Sequence, residues 1–294
     1  MDLIRVDPRK SVAKNLLISV LQLGVVDYAT GLRLQQRLVD LRKDSRIGDI
    51  LLLLEHTPVI TLGRNAKAAN VIASPGLLAQ RGVEVCECDR GGDVTFHGPG
   101  QIVGYPIFDL RGFPSSDENR KTLGAVEYVR RLEEVLIRTC ADFGIPTKRI
   151  AGLTGVWTEP QTMWGQPPPA VHIERSSSAT AHEAKIAALG VHISRGVTSH
   201  GFALNINTDL SFFNLIVPCG ITSKPVTSME QELAKPLPMQ DVAHSVSRNF
   251  GGVFSTQMLW LETLDDLRRH TVGVPMKPPA ELREMHREED IFLA

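Results

Sequence analysis

Long apolar runs are missing from this sequence. The longest, Ile50 to Leu54, spans five residues, far short of the roughly 20 that a membrane-spanning helix needs, so no such helix is expected. Charge of one sign is missing too: 32 Lys and Arg stand against 33 Asp and Glu, a net charge of -1. No overall field draws the chain to nucleic acid or an anionic membrane, and a partner must be recognised by a local patch. Cysteine is scarce. Cys86, Cys88, Cys140 and Cys219 are too few for a disulfide framework at this length, which points to a reducing compartment. Cys86 and Cys88 have no second cysteine pair and no histidine close by, so zinc is not expected. The first fifteen residues lack the apolar core and cleavage site of a secretory signal, and Asp2 and Asp7 among their cations argue against a transit peptide. A cytoplasmic protein is the expectation, with the mitochondrial matrix as the alternative.

What is present describes an ordinary globular protein: 294 residues, 43% hydrophobic and 22% charged. A strand is predicted over Asn15 to Val26, then a helix over Tyr28 to Lys43 with Asp27 as N-cap and Leu34, Leu38 and Leu41 on one face. Ile50 to Leu54 reads as a buried strand, and Ser74-Pro75 opens a short helix that Gly82 closes. Strands follow at Val83 to Asp89 and Gln101 to Leu110. A long amphipathic helix over Thr122 to Phe143 places Cys140 on its apolar stripe. Further strands are predicted at Gly155 to Thr158, Lys185 to Ser194 and His200 to Asn207, and weaker helical patterns at Val242 to Phe250 and Leu261 to His270. This order predicts an α+β (mixed α/β) fold, a mixed sheet flanked by helices. We expect one domain over residues 1–250 with a surface insertion at 159–183, then a helical appendage and flexible tail over 251–294.

Two segments carry chemistry. Cys219 lies between Pro218 and Gly220, and Lys185 lies upstream at the head of Lys185-Ile186-Ala187-Ala188-Leu189-Gly190. A cysteine and a lysine in such settings form a nucleophile with an amine to manage its proton. The second segment, Arg90 to Gln101, opens a stretch with five glycines between Gly91 and Gly104, which lets backbone approach a ligand closely. Its spacing matches neither a Walker A loop nor a dinucleotide fingerprint. Taken alone it is equally a glycine-rich hairpin.

Together with Gly155-Val156-Trp157, His200 to Asn205 and Pro218-Cys219-Gly220, these segments closely resemble the octanoyltransferases, the lipoyl(octanoyl) transferase or lipoate-protein ligase B family. The resemblance runs from about Asn15 to Leu233. It implies the catalytic fold shared with biotin and lipoate protein ligases, and no cofactor. It also implies transfer of an octanoyl group from octanoyl-acyl carrier protein to a lysine of lipoyl domains in 2-oxoacid dehydrogenases and of the glycine-cleavage H protein. The family's catalytic cysteine and lysine fall on Cys219 and Lys185. Its acyl-binding residues fall on Arg90, Gly91, Gly92, Asp93, Val94, Thr95, Phe96 and His97, on Ala188, Leu189 and Gly190, and on Gly201, Phe202 and Ala203.

The chemistry agrees with those roles. Burial disfavours an ammonium and a nearby cation favours a thiolate, which brings a shared proton within reach near neutral pH. Backbone amides at Leu189-Gly190 or Gly201-Phe202 are candidate oxyanion donors. His97 and His200 stand open between touching ligand and a structural role, His56 is assigned to packing with a possible supporting role, and Trp157 to core or cavity wall. Arg37, Arg42, Lys43 and Arg46 read as the solvated face of a helix. The competing readings are an ATP-dependent lipoate or biotin ligase, which needs no cysteine nucleophile, and a noncatalytic carrier-binding module.

Overall fold

The computed structural model describes residues 16–159, 183–218 and 224–268. The predicted insertion, the terminal tail and Cys219 itself lie outside these residues, apart from the flanks of the insertion.

Tertiary structure begins at β1 (Leu17–Val26) and α1 (Tyr28–Lys43), where the Asp27 carboxylate accepts from Thr30 N at 2.8 Å and caps the helix. Strand β2 (Asp49–His56) pairs parallel with β1 and antiparallel with β6 (Gln101–Ile107). Being central, β2 is covered on both faces, which is why its sequence is continuously apolar rather than alternating. Leu51 and Leu53 point to one core; Ile50, Leu52 and Leu54 point to the other.

Three short elements separate β2 from β6: β3 (Val59–Leu62), β4 (Glu84–Glu87) and β5 (Val94–His97) form a small sheet in the order β4-β3-β5. It is braced by helix α2 (Pro75–Gln80), which Ser74 caps through Leu77 N. After β6 come α3 (Ala125–Asp142), β7 (Thr147–Ile150), β8 (Leu153–Thr158), β9 (Lys185–Ser194), β10 (Val197–Asn205), α4 (Met229–Leu233), α5 (Met239–Phe254) and β11 (Gln257–Trp260). The main sheet has eight strands in the order β11-β1-β2-β6-β10-β9-β8-β7. Leu34, Leu38 and Leu41 of α1 cover one face, while α3 and α5 cover the other through Leu132, Leu136, Val246 and Phe250. This is the mixed sheet with flanking helices that the element order predicts. Cys140 is core, and burial pushes its thiol up to about 12.

The differences are local. Residues 90–101 are not one hairpin: β5 belongs to the small sheet and β6 to the large one, joined through Gly98 to Gly100. Where the sequence predicts a helix over Leu261 to His270, the described part is a 3₁₀ turn at Leu264–Arg268. Helix α5 runs through residue 250 to Phe254, and β11 then pairs parallel with β1. Arg42 is not solvated. It bonds Asp49 at 2.7 Å and approaches Asp109 at 3.7 Å, with its side chain 15% exposed, because Asp49 starts the buried strand β2 and needs a cation.

Candidate active site

Strands β9 and β10 pair antiparallel with Ala188 opposite Ala203, Leu189 opposite Phe202 and Gly190 opposite Gly201. Two sequence segments separated by a hairpin thus become one surface. The third segment arrives from the small sheet: Gly91 N donates to Val191 O at 3.2 Å, which lays residues 90–92 along β9. Gly190 permits this approach, since a Cβ there would sit 2.6 Å from Gly91 O. The result is a narrow cleft that opens to solvent. Its walls include Arg90, Gly92, Thr95, His97, Ala188, Leu189, Gly190, Gly201, Phe202 and Ala203, all predicted, together with Tyr28, Val103, Tyr105 and His200.

Strand alternation decides the rest of that segment. Thr95 and His97 face the cleft, whereas Val94 and Phe96 turn to the opposite side and pack with Ile60, Leu78 and Leu215. Asp93 is occupied with Asn70 Nδ2 at 2.5 Å and with backbone amides of Lys67 and Val94. Gly91 is held against β9. Arg90 is a buried clamp: its guanidinium bonds the Thr61 hydroxyl and carbonyl and the carbonyls of Gly91 and Asp93. Every one of these acceptors is neutral.

The cleft histidines are held neutral. Gln101 Nε2 donates to Phe96 O and Asn205 Oδ1, so its Oε1 must accept from His97 Nδ1–H at 2.8 Å. Burial and the neighbouring His56 and Arg90 push His97 down to about 3. His56 donates Nδ1–H to Val26 O at 2.8 Å, which leaves Nε2 to accept from the Tyr105 hydroxyl at 2.7 Å; burial lowers it to about 4. His56 is fully buried and packs against Tyr28 and Tyr105. His200 is lowered by burial, partly offset by Asp89, to which its Nε2 donates at 2.7 Å. It has φ of +55°, and its amide bonds Gln35.

Because the folded pKa values of His56 and His97 lie below the ordinary 6.5, protons bind the unfolded chain first as pH falls. Their contribution to stability is therefore complete above about pH 6.5 and is lost as pH falls toward about 4. Denaturant midpoints measured from pH 7 to 4.5 should fall, and His56→Gln should flatten the slope. Midpoints independent of pH over that range would contradict the assignment.

Lys185 sits beyond one end of the cleft. It lines a smaller cavity with Thr95, Ala188 and Ala203, which also line the cleft, and with Asn205, Pro218 and Val226. Its side chain is buried, with Nζ 4.7 Å from the Trp157 ring centroid, a cation–π arrangement. Trp157 is thus a buried core residue beside Lys185 that lines neither the cleft nor the Lys185 cavity. Lys185 N donates to Pro225 O at 2.8 Å and Lys185 O accepts from Thr227 N at 2.9 Å. Pro218 and Pro225, which flank the segment containing Cys219, are therefore both beside Lys185.

The amides offered as oxyanion donors lie in the β9–β10 ladder. A central strand aims its amides in the plane of the sheet at its neighbours, so Gly201 and Phe202 of β10 serve pairing. Gly201 is needed for closeness: a Cβ there would meet Gly104 O at 2.2 Å and Pro106 Cδ at 2.5 Å. Tyr28 and Tyr105 are cleft residues that sequence reading missed. Each lies on an ordinary helix or strand pattern, and no spacing marks it.

Several relatives match most of the chain. An octanoyltransferase of Koribacter versatilis is 58% identical over 94% of this chain and all of its own length, and one of Acidobacterium capsulatum is 57% identical over 86% of this chain and 96% of its own. The chain belongs to the octanoyltransferase family. It is an acyltransferase. The lipoyl protein ligase A/B catalytic domain matches residues 27–251, a span that includes both cavities. Among solved structures, the bi-partite lipoate protein ligase from Thermoplasma acidophilum superposes with a TM-score of 0.58 at 15% identity, covering 86% of this chain and 91% of its own. Lipoate-protein ligase A bound with ATP gives 0.58 at 13% identity, covering 85% and 92%. At these identities the likeness is one of fold.

Proposed function

We propose that this acyltransferase moves an octanoyl group from an acyl carrier protein thioester to a lysine of lipoyl domains and the glycine-cleavage H protein, through a thioester on Cys219. The observation that carries the reading is the placement of Lys185. It lies beside both flanks of the Cys219 segment and in a cavity sharing walls with the cleft. The 58% identical relative is named octanoyltransferase, which supports the choice of acyl group.

In the first step the Lys185 amine takes the Cys219 proton, and the thiolate attacks the carrier thioester carbonyl. The carrier thiolate leaves and receives that proton from Lys185. One thioester replaces another, so no ATP is required. In the second step the acceptor lysine amine attacks the Cys219 thioester and gives a proton to Lys185. The Cys219 thiolate departs and recovers the proton, leaving an amide. The acyl chain occupies the cleft between β9, β10 and residues 90–97 throughout. Among the described residues no helix is long and apolar enough to cross a membrane, and a reducing cytoplasm suits a cysteine nucleophile.

Intact mass after mixing with octanoyl-acyl carrier protein tests the intermediate. The chain should gain one octanoyl group, removable by hydroxylamine, and Cys219→Ala should gain none. An unmodified wild type, or transfer that requires ATP, would sink the thioester mechanism and favour the ligase reading.

A further inference from the structure

Among the described residues the cleft and the Lys185 cavity continue into an outer groove. The cleft and the Lys185 cavity share Thr95, Ala188 and Ala203 as walls. The Lys185 cavity in turn shares Phe213, Pro218 and Val226 with the groove, whereas the groove and the cleft have no described wall residue in common. The Lys185 cavity therefore joins the two. Pro218 and Lys224, on either side of the segment that holds Cys219, both line the groove. Ile72 lines it as well, a large apolar side chain left 60% exposed, with its amide donating to Leu215 O at 3.0 Å. Asn214 and Gln231 add exposed side-chain amides.

A thioester has two arms, and this order of cavities separates them. With the reacting carbonyl beside Lys185 and the acyl chain in the cleft, the arm on sulfur must run the other way, and the groove is the space that continues there. Its walls match a neutral chain that alternates hydrocarbon with amides. Asn and Gln side chains each offer both a donor and an acceptor, as an amide requires. Lys224 is the charged side chain among the described residues of the groove, and its ammonium is bonded to Glu183.

We infer that the outer groove seats the pantetheine arm of the thioester donor, with Ile72 and Val217 against its hydrocarbon and Asn214 and Gln231 against its amides. The inference rests on the acyl-transfer reading above and adds a donor subsite to it. An acceptor lysine fits this surface less well, since its stem is plain methylene and brings no amide to Asn214 or Gln231. No new chemical step is involved: the carbonyl is transferred as before, and the thiol that leaves is the one held in the groove.

Comparing S-octanoyl-pantetheine with S-octanoyl-N-acetylcysteamine tests this, because both release an acylated cysteamine thiol and only the first carries the full arm. With the full chain, kcat/KM for the pantetheine donor should exceed that for the truncated one by about tenfold. Ile72→Asp sets a charge against the hydrocarbon of the arm, at a position exposed enough for the fold to survive, and should bring the ratio to about one. Gln231→Ala should lower it about threefold. A wild-type ratio near one, or a ratio that neither variant moves, would overturn the inference. Variants that raise KM for the acceptor and leave the donor ratio alone would give the groove to the acceptor lysine and overturn it as well. Ligand-observed NMR with pantetheine alone makes the comparison without turnover: pantetheine should bind the wild type and bind Ile72→Asp about tenfold more weakly. No binding to the wild type would overturn the subsite. Failure of every octanoyl donor to transfer would overturn the acyl-transfer reading instead, and the NMR measurement would still decide the groove.

Discussion

Lys185→Met is expected to lower octanoyl transfer by about 10²–10⁴-fold, the range for losing a positioned acid–base group, while the fold survives. Methionine keeps the unbranched stem in the buried cavity, and the bonds of residue 185 to Pro225 and Thr227 are made by backbone. What is lost is the amine and its cation–π contact with Trp157 at 4.7 Å. Pre-steady-state mass measurements separate the two halves of the reaction. Octanoylation of Cys219 should slow most near neutral pH and recover partly as pH rises, since hydroxide then replaces the missing base. Transfer to the acceptor should recover less, because that step also needs a proton returned to Cys219. A Lys185→Met protein that turns over at the wild-type rate would remove Lys185 from the chemistry.

Glu133→Ala is expected to destabilise the protein by about 3 kcal/mol, the low end for breaking a buried ion pair. Glu133 is fully buried on α3 and joins three groups: Arg130 at 2.7 Å, Arg149 at 3.1 Å and Gly155 N at 3.2 Å. The arginines are partly exposed, at 47% and 32%, so each can turn to water when the carboxylate goes. The Gly155 amide cannot. Arg130→Ala should therefore cost far less, under about 1 kcal/mol. Equal denaturant midpoints for the two variants would refute this asymmetry. Gly155 also abuts Lys185, whose Cε lies 3.2 Å from where a Gly155 Cβ would sit. The same substitution thereby loosens the packing against the Lys185 side chain, and a drop in activity alongside stability is expected.

Some features were legible because their causes are local in the chain. The Asp27 cap, the Pro75 helix start and the periodicity of α3 each need only a few neighbouring residues to be recognised. Strand β9 begins at Lys185 and ends at Ser194 as its pattern predicts. The four-residue strands β3, β5, β7 and β11 escaped notice, since a run that short has no measurable period and is stabilised by partners distant in sequence. Strand β11 forms at residues 257–260 because β1, more than two hundred residues earlier, presents an open edge to it.

The site divides the same way. Residue type and setting nominate Cys219 and Lys185 as candidates, because the chemistry demands particular groups, and the family resemblance nominates the three segments proposed to hold the acyl chain. Which members of those segments face the cleft is decided by the sheet. The two-residue period of β5 sends Thr95 and His97 inward and Val94 and Phe96 away, and the β9–β10 register sets Gly190 against Gly201. Tyr28, Tyr105 and His200 join the wall only through tertiary packing. Sequence alone determined which reactive groups this protein owns and the elements that carry them. Tertiary structure decided which side chains share one cavity, since proximity between residues far apart in the chain exists only once the two sheets have packed.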